Sequence, residues 1–331
     1  MTAREPAVWP WNGQAQYPPE PACICVSVDI DAITHYYAIH GLAEEASSEC
    51  DPVWSYGVGR FLDLFAQLNL RATFFVVASD LVPASEGGRV HEMAVVHKRH
   101  ELVRQMTEKG HEVASHSFGH DYALSRRSGH EMQVDLQLAR DVLYDVTGRR
   151  TLGFRAPGYI LSHRLVAAVK ASGAAYSSSW FPSPPYFLAK WLTMCKLALA
   201  GHRSRSIAGP IMAPFGPRRI HRHPGGLLEL PISVISVLRL PAIGTFFVLY
   251  GDHGQRWLMP RLAKERWLNL EFHGIDLVDP SDPGIGQDLR RRQFDLRVSL
   301  TRKASLIEDW LAHLAEERVN LTLDEVAQRY G

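Results

Sequence analysis

Cysteine is scarce in this chain. Its four residues, Cys23, Cys25, Cys50 and Cys195, include no C-x-x-C pair among 331 positions, too few for a disulfide scaffold. Charge of one sign is equally lacking. Lys and Arg number 36 against 35 Asp and Glu, so no basic excess exists to grip a phosphate backbone, and nucleic acid is not an expected partner. No apolar run reaches the ~18–20 uninterrupted residues of a membrane span. The nearest, 187–200, carries Lys190 and Lys196, and 227–250 is broken by Glu229, Pro231, Arg239 and Pro241. Residues 1–20 are rich in Pro, Gln and Trp and hold no apolar signal-like core, so they read as an N-terminal arm, and a cytoplasmic address is the default expectation. Internal repeats and low-complexity blocks are absent. There is no G-x-S-x-G, and no cysteine stands at a strand end, which disfavours a nucleophilic hydrolase. His111-Glu112 is followed by His116, one residue too far for H-E-x-x-H.

What is present is an ordinary globular composition, 46% hydrophobic, with sixteen histidines as its oddity. Residues 21–331 read as one domain in which strands alternate with helices. Strands are expected at 23–28, 72–78, 112–115, 153–154, 174–178, 228–235, 245–249 and 269–272. Helices are expected from Asp51-Pro52 to 70, over 92–109 up to Gly110, over 131–147 up to Gly148, and over 300–318. Such alternation implies a mostly parallel sheet covered by helices, open or closed into a barrel.

Polar residues fall just after the apolar runs, where parallel α/β folds place their active sites. The first strand ends in Asp29-Ile30-Asp31, and the third leads into His116-Ser117-Phe118-Gly119-His120. The fourth ends in Arg155-Ala156-Pro157-Gly158, and a late one in Glu271-Phe272-His273. The four-residue spacing of His116 and His120 predicts two imidazoles on one side of a helical turn, and with one carboxylate they form a two-His, one-Asp metal set with open positions. Asp29 and Asp31 alternate along an extended strand and so share a face; one can bind a metal while the other stays free as a base, and spacing alone leaves open which does which. Arg155 suits pairing with a carboxylate, the Gly158 N–H suits an oxyanion, and His273 has the pKa range of a general acid.

In these residues the sequence resembles the polysaccharide deacetylases, the NodB-homology group also called carbohydrate esterase family 4. The D-x-D opening corresponds to Ser27-Val28-Asp29-Ile30-Asp31. H-[ST]-x-x-H corresponds to His116–His120, R-x-P to Arg155-Ala156-Pro157, and the last strand motif to Phe272-His273. The resemblance implies a distorted (β/α) barrel of about seven parallel strands. It also implies a general base at Asp29 and a metal, usually zinc with cobalt or nickel as alternatives, held by Asp31, His116 and His120. Arg155 would orient Asp29, His273 would protonate the leaving amine, Gly158 and Tyr159 would line the oxyanion and substrate side, and Trp180 would form an apolar wall. After the fifth strand, where the family often carries an Asp, Ser177, Ser178 and Ser179 supply hydroxyls only.

The expected activity is hydrolysis of an N-acetyl group on an amino sugar, whether in a polysaccharide, an oligosaccharide or a lipid-linked glycan. Two other readings are a deformylase of a lipid-linked aminosugar or other non-peptide amide hydrolase, and a catalytically silent metal-binding carbohydrate-recognition protein. An insert at about 182–226 brings Trp191, Leu192 and Met194, then Arg203, Arg205, Arg218, Arg219 and Arg222. Its composition suits either a packing lid or a peripheral contact with a membrane.

Overall fold

The computed structural model describes residues 21–43, 50–83, 93–199, 201–207, 209, 213–235 and 238–330; the N-terminal arm at 1–20 lies outside them. Among the described residues the strands are β1 (Cys23–Ile30), β2 (Thr73–Val76), β3 (Glu112–Ser115), β4 (Gly153–Phe154), β5 (Tyr176–Ser177), β6 (His221–Arg222), β7 (Leu228–Glu229), β8 (Val234–Ile235), β9 (Leu240–Pro241), β10 (Trp267–His273) and β11 (Val319–Asn320). The helices are α1 (Ile33–Ile39), α2 (Val58–Gln67), α3 (Met93–Glu108), α4 (Gly129–Thr147), α5 (His163–Ala171), α6 (Pro184–Leu199), α7 (Gly244–Leu262), α8 (Gln287–Arg292), α9 (Leu300–Ala315) and α10 (Leu323–Tyr330). None of them is long and apolar enough to cross a membrane.

The main sheet runs β10-β1-β2-β3-β4-β5-β7-β6. Every pairing from β10 to β7 is parallel, β6 joins antiparallel to β7, and β11 adds to β1. It curls into the distorted barrel that the sequence implies. Among the described residues no ladder joins β7 to β10. Irregular backbone bridges that gap: Ser233 N–H donates to the Asn269 carbonyl, and the Asn269 amide donates to the Leu230 and Pro231 carbonyls. One side-chain amide thus satisfies carbonyls that a regular strand would have paired.

Strand alternation sorts residues between two layers. Ile24, Val26, Val28 and Ile30 of β1 join Phe74, Val76, Leu268, Leu270 and Phe272 in the core beneath the helices. The other face of β1 points inside the barrel, where Cys23 and Cys25 pack with Phe75, Ala114 and Tyr176. Ser27 and Asp29 follow on that inner face toward the carboxyl end and hydrogen-bond Arg155. All eight residues of β1 are buried, as a two-sided strand requires.

Three expectations need correction. Residues 245–249 are the first turns of α7, not a strand. Gly244, Phe247 and Val248 recur at helical spacing, and Phe247 packs on Phe272 and stacks on Trp310 with ring centroids 4.5 Å apart. Residues 228–235 are not one strand: β7 and β8 lie in different sheets, and the bridging backbone lies between them. Residues 116–120 are not helical, for a reason given below.

The helix expected from Asp51-Pro52 begins as a π-turn over Val53–Gly57, with the Asp51 carboxylate accepting from the Val53 and Trp54 N–H groups. This turn packs against the tight turn Gly274–Leu277 that follows His273. A Cβ on Gly57 would lie 2.2 Å from the Gly274 carbonyl oxygen, and one on Gly274 would lie 2.4 Å from Val53 Cγ1. Gly57 has an ordinary helical φ of −57°, so close approach and not backbone freedom requires the glycine. Gly57→Ala is expected to destabilise the protein by roughly 1–3 kcal/mol through overpacking, read as a shifted urea midpoint at unchanged slope.

Candidate active site

Asp29 is the last inward-facing residue of β1, and it is almost wholly buried. Arg155, just past β4 and fully buried, donates through Nη1 to Asp29 Oδ1 at 2.6 Å. Three of its four other N–H donors are also used: Nη2 reaches Ser27 Oγ and Ser178 Oγ, and Nε reaches the Ser178 carbonyl. The guanidinium lies 4.0 Å from the Phe75 ring centroid, a cation–π contact in the barrel interior. Of the serines at β5, Ser178 therefore serves Arg155 directly, while Ser179 Oγ accepts from the Ala156 N–H.

Asp31 follows β1 and meets both histidines. Its Oδ1 lies 3.4 Å from His116 Nε2 and 3.2 Å from His120 Nε2, while Asp29 Oδ2 lies 3.7 Å from His116 Nε2. The D-x-D pair does share a face. The segment 116–120 is a tight loop, with Ser117 at φ 68° and His120 at φ 49°. Ser117 Oγ accepts from His120 N–H, and the Asp135 carboxylate of α4 accepts from the Phe118 and Gly119 N–H groups. Left-handed residues cannot continue a helix, so the loop, not helical periodicity, brings the two rings to 4.8 Å between centroids.

This set fits a divalent metal. Asp31, His116 and His120 each offer one ligand atom, all within 4.8 Å of one another and all buried. Asp31 Oδ1 and both ring nitrogens of His120 are buried without a hydrogen-bond partner, a cost that an ion would relieve. His116 Nδ1 is 2.9 Å from the Arg155 carbonyl, which fixes the tautomer that leaves Nε2 free to ligate. Burial would raise the Asp31 pKa, but the imidazoles of His120 and His116 outweigh it and hold the carboxyl well below its ordinary range, ionised as a ligand must be. A second trio, Asp29, Glu271 and His273, also has the spacing for an ion. The Arg155 guanidinium, 3.9 Å from Glu271 as well as on Asp29, already supplies positive charge there.

His273, 20% exposed at its side chain, ends β10 in register with Asp29. Its Nε2 is 3.5 Å from the Tyr159 hydroxyl and 3.8 Å from Glu271 Oε1, and Tyr159 donates to the same Glu271 oxygen. Gly158 adopts φ 62°, and a Cβ there would lie 2.8 Å from the Tyr122 ring, so both strain and space require glycine. Trp180 is buried, its ring set against His221 and His223 and under Gly216, while the backbone N–H groups of Ser179 and Trp180 donate to Glu229.

Sequence reasoning assigned no role to Glu271, which is fully buried between Arg155, Tyr159 and His273. A signal existed. Glu271-x-His273 has the same two-residue alternation as Ser27-x-Asp29, its parallel neighbour residue for residue. Also unassigned were His35, whose ring lies 4.2 Å from that of His120, and Tyr122, edge-on to His120 at 4.9 Å. Burial foremost, with His120 beside it, pushes the His35 pKa down to about 4.

Two outcomes follow from this charge arrangement. Arg155→Met should cost roughly 3–5 kcal/mol by stranding buried carboxylates, with part of the loss recovered in Arg155→Met/Asp29→Asn, as measured by denaturant unfolding of the four-member cycle. Burial, reinforced by the Asp29 carboxylate, raises the Glu271 pKa well above the ordinary range. The unfolded chain releases that proton near pH ~4.3 and the folded chain retains it, so this contribution to stability is lost as pH rises above that value. Glu271→Gln should remove that downward slope in stability measured from about pH 5 to about pH 8; an unchanged slope would assign it elsewhere.

Comparison with known proteins agrees with this geometry. Residues 50–177 match the family profile described as polysaccharide deacetylase. A peptidoglycan deacetylase of Helicobacter pylori is 23% identical over 169 residues, which cover 50% of this chain and 52% of that protein. The chain thus matches about half the length of that curated relative. The crystal structure of a candidate polysaccharide deacetylase from Mycobacterium smegmatis superposes with a TM-score of 0.53 at 16% identity, covering 96% of this chain and 94% of the other, a likeness of fold. Over residues 50–177 the chain is thus similar to the polysaccharide deacetylases, the NodB-homology group also known as carbohydrate esterase family 4.

Proposed function

We propose that this chain is a metal-dependent hydrolase that removes the N-acetyl group from an amino sugar, leaving free amine and acetate. The observation that carries the reading is a buried Asp31–His116–His120 trio with unpartnered ligand atoms, set beside an Asp29 whose other oxygen is fixed by Arg155. A divalent ion, zinc first with cobalt or nickel as alternatives, would be held by Asp31, His116 and His120 and would supply a Lewis acid that polarises a carbonyl and eases deprotonation of water. Asp29 takes the proton of the attacking water through Oδ2, the oxygen that Arg155 Nη1 does not hold. The Gly158 N–H donates to the developing oxyanion. As the carbon–nitrogen bond breaks, His273 delivers a proton to the amine, with Glu271 and Tyr159 fixing where its ring points. The relative described as a peptidoglycan deacetylase supports an N-acetylated glycan as substrate.

Metal analysis of protein purified without chelator should find about one divalent ion per chain, lost in Asp31→Ala/His116→Ala. The loaded protein should release acetate from N-acetylglucosamine oligomers, and Asp29→Asn should lower that rate by about 100-fold or more while retaining the ion. Release of formate from an N-formylated aminosugar, with none of acetate, would reassign the acyl group. Bound metal without release of either would make the protein a binder and overturn the hydrolase reading.

A further inference from the structure

The helix that borders this site presents its apolar residues outward. On α6, Leu188, Trp191, Leu192 and Leu199 are 57%, 55%, 54% and 90% exposed, and their spacing of three, four and eleven from the first sets them along one stripe. Leu197 is the only buried residue of its sixteen. An ordinary surface helix has the reverse pattern, with the apolar stripe inside. Exposed Phe215 and Leu238 lie on the turn and hairpin that α6 packs against.

The other side of α6 is anchored to the catalytic end of the barrel. Tyr186 packs edge-on against Tyr159 with centroids 5.6 Å apart, and Lys190 Nζ donates to the Gly158 carbonyl at 3.3 Å. The outward stripe therefore stands at the rim of the site, held by the residues that line it.

The sequence of α6 and the segment after it carries charge of one sign: from 184 to 222 there are seven Lys and Arg and no Asp or Glu, with Lys190 turned to the Gly158 carbonyl. Lys196 within the helix, and Arg203 and Arg205 just after it, are exposed.

We propose that α6 and its basic border dock the protein on an anionic lipid bilayer, with Trp191, Leu192 and Leu199 entering the interfacial layer and the mouth of the site turned to the membrane surface. An exposed apolar helix whose own sequence and following segment carry Lys and Arg and no Asp or Glu is complementary to such a surface in both hydrophobicity and charge. A second copy of the chain would offer the stripe a matching apolar face but would set the same cations against each other. Docking does not depend on the proposed hydrolysis, though it would favour glycans carried at a membrane.

Vesicle flotation tests this with the full chain. Wild type should float with phosphatidylcholine vesicles containing phosphatidylglycerol, less with phosphatidylcholine alone, and less as salt rises. Trp191→Gln/Leu192→Gln should weaken partitioning about tenfold or more, and Lys196→Glu/Arg203→Glu/Arg205→Glu should weaken it by about fivefold or more per residue. Both variants should keep the wild-type metal content and melting temperature, so a failure here is separable from a failure of the metal site. Absence of wild-type flotation overturns the proposal. So does a wild-type dimer in light scattering that becomes monomeric in Trp191→Gln/Leu192→Gln, which would assign the stripe to a second copy.

Discussion

A single buried guanidinium organises this barrel. Arg155 joins Asp29 and Ser27 of β1 to Ser178 beyond β5, rests on Phe75 of β2, and through its own carbonyl fixes His116 after β3. A fully desolvated cation is tolerated only if nearly every donor is used, and here the barrel interior supplies the acceptors. That requirement explains why hydroxyls follow β5 and why the inner line of β1 changes from cysteine to serine to aspartate along its length. Four strands are thereby held in register at the end where the chemistry is proposed.

Around this pair the protein separates two electrostatic tasks. On one side Asp31, His116 and His120 make a negatively biased trio whose unpartnered atoms suit a cation. On the other, Glu271, Tyr159 and His273 make a proton-bearing group supported by the same arginine. Asp29 lies between them, with one oxygen toward each. The carboxylate of that second group, Glu271, comes from β10. The neighbouring strand β1 puts that residue within reach because the parallel register sets Ser27 opposite Glu271 and Asp29 opposite His273.

The insert departs from the economy of the rest. Most buried apolar residues enter one of a few contiguous clusters, whereas α6 leaves Leu188, Trp191, Leu192 and Leu199 in solvent while meeting the rim of the candidate site through Tyr186 and Lys190. Burial foremost lowers the Lys190 pKa to about 8. The contrast within one helix, anchored inside and apolar outside, is what separates a docking element from a lid that merely packs.

The alternation of strands and helices, the positions of most strands, and the polar residues that end them are legible in the amino-acid order alone. Those features are local: buried strands must be apolar, and a parallel sheet collects its polar residues at carboxyl ends. Only the tertiary structure decided that 245–249 is helical, since an apolar run of that length is compatible with either state until Phe272 and Trp310 provide the face it covers. The shape of the His116–His120 loop was likewise beyond local spacing, because Phe118 and Gly119, between its left-handed residues, are held by an aspartate from α4. The place of Glu271 was half legible, in an alternation that β10 shares with β1, but its partners Tyr159 and Arg155 lie 112 and more residues away along the chain. Short-range pattern fixes which face a residue occupies, and only long-range register decides what it meets there.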